Sequence, residues 1–405
     1  MVQGLSYEDS VALTQANGTH NYKPLPVNVA RGDGALLWDT DGKEYIDCLG
    51  AYSAVSHGHL APTVIKAVRD QLDRVTMTSR AYYTSEVALF LHGVAEFCEL
   101  DMVCPMNSGA EAIETCIKLA RKWAYTVKGV PADQAEIIVF EDNFHGRTTT
   151  IVGFSSEEGY KRHFGPFTPG FKVIPFGDID ALKAAITPNT AAVLGEPIQA
   201  EGGILIPPDG FLAEVRRVCT ANNVLLCWDE IQCGLYRTGK KFSWMHEEAK
   251  PDLMAIGKAL GGGLLPVSAA VGTKEVMEVF QPGDHGSTFG GNPLGSVVAL
   301  AALAEMETAN YGERVTRLGA MALDFLLAMP FKQVKEVRSR GLLIGVEVDE
   351  TVDVPALTAQ LLANGLLTKQ TRQRTYRLTP PLVITEDQLM EALRRFEKSL
   401  AAVVG

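Results

Sequence analysis

The chain has few cysteines, no excess of basic residues and no long apolar run. Its seven cysteines are an odd number without a C-x-x-C pair, which indicates reduced thiols rather than a disulfide framework. With 37 Lys and Arg against 48 Asp and Glu, the net charge of −11 argues against a nucleic-acid partner. No apolar run reaches the length of a membrane span, and the first residues lack a signal or transit pattern. We therefore expect a cytoplasmic protein with no membrane partner.

Short apolar runs alternate with helical patterns along most of the chain, which is typical of parallel strands covered on both faces. The predicted strands span residues 136–140, 171–174, 191–195, 224–228 and 253–256, and the predicted helices 111–125, 211–222 and 293–306. Beyond these, helices mix with shorter strands such as 342–348. We predict three parts: an opening segment with hairpin-like turns, 1–49, that packs with the C-terminal part; a large domain, 50–309; and a small domain, 310–405.

Lys258 lies between the apolar run 253–256 and a glycine-rich turn, 261–263. Burial there disfavours the ammonium form, and the neutral amine can attack an aldehyde to form a Schiff base. Taken alone, the segment fits a solvated strand-end lysine better. A second apolar run, however, ends at Asp229. A Schiff-base lysine with an aspartate that pairs with a pyridinium nitrogen is the arrangement that pyridoxal phosphate requires.

Each of the other polar motifs fits either a ligand-binding or a structural interpretation. Residues 107–111 open a helix whose free N–H groups and dipole favour a phosphate, but a capping box of Ser108 with Glu111 explains the same residues. The turn 286–293 carries two hydroxyls between glycines, which suits a phosphate or a plain loop. Arg147 is either a surface cation or a bidentate clamp for a substrate carboxylate. No metal site is expected, because the paired histidines of residues 57–59 lack further ligands at suitable spacing.

Taken together, these segments resemble the class III (ω-amino) branch of the fold type I aminotransferases over residues 24–396. The motifs that carry the resemblance occur in the family's order: Asn107-Ser108-Gly109, Phe144-His145-Gly146-Arg147, Glu196-Pro197-Ile198-Gln199, Asp229-Glu230-Ile231-Gln232, Gly257-Lys258-Ala259-Leu260 and the turn 286–293. The resemblance implies an α/β fold, with a large domain built on a mostly parallel central sheet and a smaller α+β domain. It also implies pyridoxal 5'-phosphate as the cofactor.

The resemblance further implies a role for each residue of the cofactor site. Lys258 is expected to hold the cofactor through a Schiff base and then to act as general base and acid, and Asp229 to pair with the pyridine nitrogen. The other cofactor-binding residues it implies are Ser108, Gly109 and Ala110 on the phosphate, Phe144 stacked on the ring, Gln232 on the ring oxygen, and Ser287 with Thr288 at the phosphate. Because Thr288 is expected to reach the site of the neighbouring subunit, a homodimer with shared active sites is implied.

A finer resemblance, carried by residues 51–55, 78–83, 264–269 and 377–384, is to the branch that transfers the δ-amino group of ornithine to 2-oxoglutarate. It implies the following substrate contacts: Arg147 on the carboxylate of ornithine, Tyr52 on its α-amino end, Tyr82 or Tyr83 narrowing the pocket, Arg377 on the second carboxylate of 2-oxoglutarate, and Glu201 masking Arg377 while ornithine is bound.

Four alternatives remain open. The acetylornithine branch shares the Phe144-His145-Gly146-Arg147 motif, although the polar ring of Tyr52 suits a free α-amino group better than an acetylated one. A 4-aminobutyrate enzyme is disfavoured by the tyrosine pair at residues 82 and 83. A catalytically silent binding module is expected to lack the lysine or the aspartate, and both are present. An isomerase has no need of a 2-oxoglutarate site.

Overall fold

The computed structural model describes residues 4–405, so the first three residues of the predicted opening segment lie outside it. The helices α1 to α14 are Tyr7–Asn17, Gly50–Ser53, Pro62–Leu72, Ser85–Cys98, Gly109–Trp123, Thr149–Gly153, Glu158–Lys161, Ile179–Ala185, Phe211–Ala221, Lys274–Met277, Pro293–Thr308, Tyr311–Ala328, Val354–Ala363 and Glu386–Val404. The strands β1 to β15 are Val29–Asp33, Leu36–Asp39, Glu44–Asp47, Met102–Met106, Glu136–Phe140, Phe171–Ile174, Thr190–Gly195, Leu225–Asp229, Leu253–Ile256, Ser268–Gly272, Val334–Arg340, Leu343–Val348, Leu366–Leu367, Lys369–Thr371 and Thr375–Leu378.

The central sheet has seven strands in the order β4-β10-β9-β8-β7-β5-β6. Five of them, from β9 to β6, run parallel, and β10 runs antiparallel to both of its neighbours. Strands β7 to β10 are buried along their whole length, as the continuous apolar runs predict. The predicted α/β class with a mostly parallel sheet is therefore confirmed.

The strand order determines where the polar residues meet. Strands β5, β7, β8 and β9 are neighbours and parallel, so their carboxyl ends lie along one edge of the sheet. The residues at or just beyond these ends are Phe144, Glu196, Asp229 and Lys258. In parallel sheets, ligands bind at this edge.

Helix α5 begins at the same edge and packs on the sheet. A capping box of Ser108 and Glu111 starts it. Its buried face includes the following residues, which recur at helical spacing: Ala112, Ile113, Cys116, Ile117, Ala120 and Trp123. The predicted end near residue 125 is wrong by two residues. The regular helix stops at Trp123, and a wide turn, Ala124–Lys128, leads to Gly129, whose left-handed φ of 85° ends the helical path.

Two smaller sheets flank the central one. The antiparallel sheet β11-β12-β15-β14 belongs to the C-terminal part, and β1-β2-β3-β13 joins the opening segment to it through the parallel pair β3 and β13. Asn310, near the predicted domain boundary, has a left-handed φ of 51° between α11 and α12, but the boundaries themselves stay predictions. Among residues 4–405, no helix combines the length and the apolarity needed to cross a membrane.

Candidate active site

A cavity of about 180 Å³ lies at the carboxyl edge of the central sheet. It brings together residues that are up to 149 positions apart, and six of them were predicted from the sequence as site residues. The lining residues are Gly109, Ala110, Phe144, His145, Gly146, Glu196, Asp229, Ile231, Gln232 and Lys258.

Lys258 begins a short helical turn directly after β9 and Gly257. Its φ of 45° lies in the left-handed region, which costs a side-chain-bearing residue about 1–3 kcal/mol. Burial lowers the pKa of its amine, while the carboxylates of Glu201 and Asp229 oppose that shift only in part. More of the amine is therefore neutral at a given pH than for a solvated lysine.

Asp229, at the end of β8, is buried beside His145. Its Oδ2 accepts a hydrogen bond from His145 Nδ1 at 2.7 Å, and its Oδ1 accepts one from the Ile231 N–H at 3.0 Å. Burial alone lowers the pKa of His145, but its hydrogen bond to Asp229 and the charges of Asp229 and Glu196 raise it above its ordinary value. The hydrogen bond thus fixes the orientation of the Asp229 carboxylate. The sequence motifs named both residues but did not predict this contact.

Glu196 also lines the cavity, and no site role was predicted for it. It follows β7, and it accepts hydrogen bonds from the N–H groups of Phe144 at 2.9 Å and Ala200 at 3.3 Å. Burial raises the pKa of its carboxyl to about 7. The sequence contains a signal that could have predicted this residue. Glu196 follows the apolar run 191–195, just as Asp229 ends the next apolar run.

The start of α5 has both features that its sequence allowed, a capping box and free N–H groups at the cavity. The backbone N–H of Ser108 donates to Glu111 Oε2 at 2.7 Å, and the Ser108 Oγ accepts from the Glu111 N–H at 3.3 Å. The cap therefore uses the N–H of Ser108. Gly109 and Ala110 line the cavity, and their N–H groups are among the first of the helix, which have no intrahelical acceptor.

Several predicted residues do not line this cavity in the single chain. Ser287 Oγ accepts hydrogen bonds from Asn107 Nδ2 at 2.9 Å and from the Gly290 N–H at 3.0 Å, so the turn lies beside the start of α5. Thr288 next to it is exposed. Tyr82 and Tyr83 are also exposed, the former at 74%. Their predicted roles stay predictions.

A second group of polar side chains lies beyond Gln232. Arg377 on β15 is almost fully buried and forms an ion pair with Glu201, and Gln232 Nε2 donates to Glu201 Oε1 at 3.3 Å. Burial alone raises the pKa of Glu201, but the charges of Arg377 and Lys258 hold it below its ordinary value. The guanidinium carbon of Arg377 lies 5.0 Å from the centroid of the Tyr52 ring.

Tyr52 reaches this group from α2, a single turn with an unusual backbone. All four of its residues, Gly50–Ser53, have left-handed φ angles between 46° and 70°. A Cβ on Gly50 would approach the Thr379 carbonyl oxygen to 2.5 Å, so glycine is required for this close contact with the segment after β15. The turn therefore holds Tyr52 and Arg377 in a fixed relation.

Arg147 is exposed and stacks on aromatic rings. Its guanidinium carbon lies 3.6 Å from the centroid of Tyr160 and 5.4 Å from that of Phe144. Tyr160 was not predicted as a site residue. No local pattern marks it, because its contact with Arg147 depends on the path of the intervening chain.

Comparisons with known proteins agree with this geometry. A family model described as aminotransferase class-III matches residues 17–400. The chain is 50% identical to an ornithine aminotransferase of Brevibacillus brevis over 387 residues, which cover 96% of each chain. It is similar to a solved ornithine aminotransferase of Toxoplasma gondii, with a TM-score of 0.97, 43% identity and coverage of 98% and 95%. It is also similar to the acetylornithine aminotransferase of Elizabethkingia anophelis, with a TM-score of 0.89, 40% identity and coverage of 98% and 100%.

Proposed function

Because the chain belongs to the class-III aminotransferase family, we propose that it transfers the δ-amino group of L-ornithine to 2-oxoglutarate, giving glutamate 5-semialdehyde and glutamate. The observation that carries this proposal is the ion pair of Arg377 with Glu201 beside Tyr52. A cation that can be masked or exposed suits an enzyme whose two substrates differ in charge at the reacting end. The 50% identical ornithine aminotransferase of Brevibacillus brevis supports the same choice.

The cavity fits pyridoxal phosphate, the cofactor on which class III aminotransferases depend. Its volume of about 180 Å³ exceeds the roughly 150 Å³ that can hold a benzene ring. Lys258 offers an amine to the aldehyde of the cofactor, and Asp229 offers a carboxylate to its pyridine nitrogen. The start of α5 offers an anion site to its phosphate. Gln232 Oε1 is buried without a hydrogen-bond partner among residues 4–405, so its amide is available to a ligand.

When bound, pyridoxal phosphate supplies an electron sink for the carbanion that forms when the substrate loses a proton. Lys258 Nζ accepts that proton from the δ-carbon of ornithine, which its lowered pKa favours. In the return half-reaction, the same amine delivers a proton to the α-carbon of the new glutamate. His145 and the Ile231 N–H each donate a hydrogen bond to the Asp229 carboxylate and hold it in place at the cavity.

The substrate side selects which carbon reaches Lys258. Arg147 binds the α-carboxylate of ornithine through two parallel N–H donors, and the Tyr52 hydroxyl bonds the α-amino end. Glu201 masks Arg377 during this half-reaction, so the site does not repel the ammonium groups of ornithine. 2-Oxoglutarate carries two carboxylates, and its second carboxylate competes with Glu201 for Arg377.

The proposed active unit is a homodimer with shared active sites. Thr288 and its neighbour Phe289 are exposed in the single chain, Phe289 at 60%. Tyr82 and Tyr83 also project large apolar rings into solvent. Partner association would cover these rings and bring Thr288 to the phosphate of the neighbouring subunit.

Amine exchange tests the substrate directly. Purified protein loaded with pyridoxal phosphate is given 2-oxoglutarate with ornithine, N-acetylornithine or 4-aminobutyrate, and glutamate formation is measured. We expect ornithine to have the highest kcat/KM. Conversion of N-acetylornithine without ornithine would reject the proposal.

Acetylornithine transfer is the second candidate, because the Elizabethkingia anophelis acetylornithine aminotransferase is 40% identical over 98% of this chain. Tyr52 distinguishes the two substrates. Its hydroxyl can bond a free α-amino group, and its ring occupies space that an acetyl group needs. We expect Tyr52→Ala to lower kcat/KM for ornithine and to raise the relative rate with N-acetylornithine.

A further inference from the structure

Aromatic rings, rather than carboxylates, hold the guanidinium of Arg147. Its guanidinium carbon lies 3.6 Å from the Tyr160 centroid, and no ion pair or side-chain hydrogen bond of Arg147 is found within residues 4–405. Stacking of this kind uses the face of the guanidinium and leaves the in-plane N–H donors available. A carboxylate needs these donors for bidentate binding.

Tyr160 is itself fixed by its neighbours. It lies on the short helix α7, and its ring meets the ring of Phe144 edge to face, with centroids 6.1 Å apart and planes at 79°. Phe144 is anchored because its N–H donates to the buried Glu196 at 2.9 Å. Arg147 therefore lies in a corner between two rings, and one of these rings lines the cavity.

The far side of α7 is tied to the part of the chain that carries Arg377. Arg372, at the tip of the β14–β15 hairpin, donates to Glu157 Oε2 at 2.9 Å and to Asp142 Oδ1 at 2.5 Å. Glu157 is the N-cap residue of α7. Since Arg377 lies on β15, one hairpin carries Arg377 and also contacts the helix that supports Arg147.

We propose that Tyr160 is a positioning residue that holds Arg147 for the substrate carboxylate. The inference deepens the proposed function and rests on it, because it takes Arg147 as the residue that binds the α-carboxylate of ornithine. Tyr160 contributes through the face of its ring, and its hydroxyl is not required. If Tyr160 were only a packing residue of α7, its loss would affect all ligands alike.

The test compares Tyr160→Leu, which removes the aromatic face, with Tyr160→Phe, which keeps it. Binding of L-norvaline, which has the carboxylate and α-amine of ornithine but no δ-amine, is measured by calorimetry on the cofactor-loaded protein. We expect norvaline to bind Tyr160→Leu roughly three- to thirtyfold more weakly than the wild type, the range expected for a cation–π contact. Tyr160→Phe should bind it like the wild type.

Two further measurements separate positioning from general damage. The KM for ornithine should rise in Tyr160→Leu by a factor similar to the loss in norvaline binding, with kcat nearly unchanged. The inhibition constant of 1,4-diaminobutane, which is ornithine without its carboxylate, should not change. In an Arg147→Ala background, Tyr160→Leu should have no additional effect on norvaline binding.

The proposal is overturned if Tyr160→Leu binds norvaline like the wild type, or if Tyr160→Phe loses as much affinity for norvaline as Tyr160→Leu. It is also overturned if Tyr160→Leu weakens the binding of 1,4-diaminobutane by the same factor as that of norvaline. Ornithine turnover by the wild-type protein tests the proposed function, whereas norvaline binding tests Tyr160. The two can therefore fail separately.

Discussion

The two ends of the site are built differently. At the cofactor end, Asp229, His145 and Glu196 are almost fully buried and lie at or near the ends of neighbouring strands of one sheet. At the substrate end, the exposed Arg147 stacks on half-buried rings, and Arg377 pairs with a carboxylate that comes from a different segment. The cofactor end presents one fixed set of charges, while the substrate end consists of contacts that a ligand can exchange. Changes at the cofactor end should lower turnover of every amine substrate by a similar factor, and changes at the substrate end should alter the ratio between substrates.

The largest effect is expected at Lys258, which serves both ends. Lys258→Ala removes the group that we propose moves the proton, so kcat should fall by roughly a thousandfold or more for every amine substrate. The measurement is glutamate formation with ornithine and with 4-aminobutyrate. Lys274→Ala, at an exposed lysine, is the control and should keep wild-type rates. Retention of a tenth of the wild-type rate in Lys258→Ala would remove the lysine from the mechanism.

Asp229→Asn tests the cofactor end by itself. The substitution keeps the shape and removes the charge opposite the pyridine nitrogen, so we expect kcat to fall by about 10²- to 10³-fold with ornithine and N-acetylornithine alike. Equilibrium dialysis of the variant should also show weaker retention of pyridoxal phosphate. The matched control is Glu230→Gln, an isosteric change at the adjacent carboxyl, which is buried but does not line the cavity. A loss confined to one substrate would contradict the assignment.

Glu201→Ala tests the substrate end. The substitution leaves Arg377 unmasked. Binding of a substrate with a carboxylate close to the reacting carbon is then favoured, and binding of one with an ammonium group there is disfavoured. The kcat/KM for ornithine should fall by about thirtyfold, the lower end of the range for losing one partner of a buried charge pair, whereas the kcat/KM for glutamate should be kept or raised. Glu201→Gln should show the same direction with a smaller change. Equal losses with both amino acids would place Glu201 outside the specificity mechanism.

The smallest effect is a pH dependence of stability at the cofactor end. Burial raises the pKa of Glu230 from 4.5 to about 7. Below the unfolded pKa both states are protonated; between the two values only the folded chain holds the proton, so stability falls as pH rises through this window. We expect Glu230→Gln to remove about 2 kcal/mol of that fall between pH 5 and pH 7, measured by urea unfolding. A slope equal to that of the wild type would show that Glu230 is not the group responsible.

The sequence predicted the central sheet and the positions of Asp229 and Lys258 because both depend on local patterns. Three strands begin and end at the predicted residues, and the other two differ by one residue. Asp229 ends β8, and Lys258 lies just beyond the end of β9. Contacts between distant segments could not be predicted in this way. The His145–Asp229 hydrogen bond joins residues 84 positions apart, and it exists because β5 and β8 lie on either side of β7. The stacking of Tyr160 on Arg147 likewise depends on where α7 packs.

The most direct test of the account follows the amino group itself. L-Ornithine labelled with ¹⁵N only at the δ position is incubated with 2-oxoglutarate and the cofactor-loaded protein, and the glutamate formed is examined by mass spectrometry. The account predicts that the glutamate carries the label from the first turnovers and that Glu201→Ala lowers the labelled fraction. Unlabelled glutamate from the wild-type protein, with the label retained in the five-carbon product, would show that the α-amine is transferred and would contradict the account.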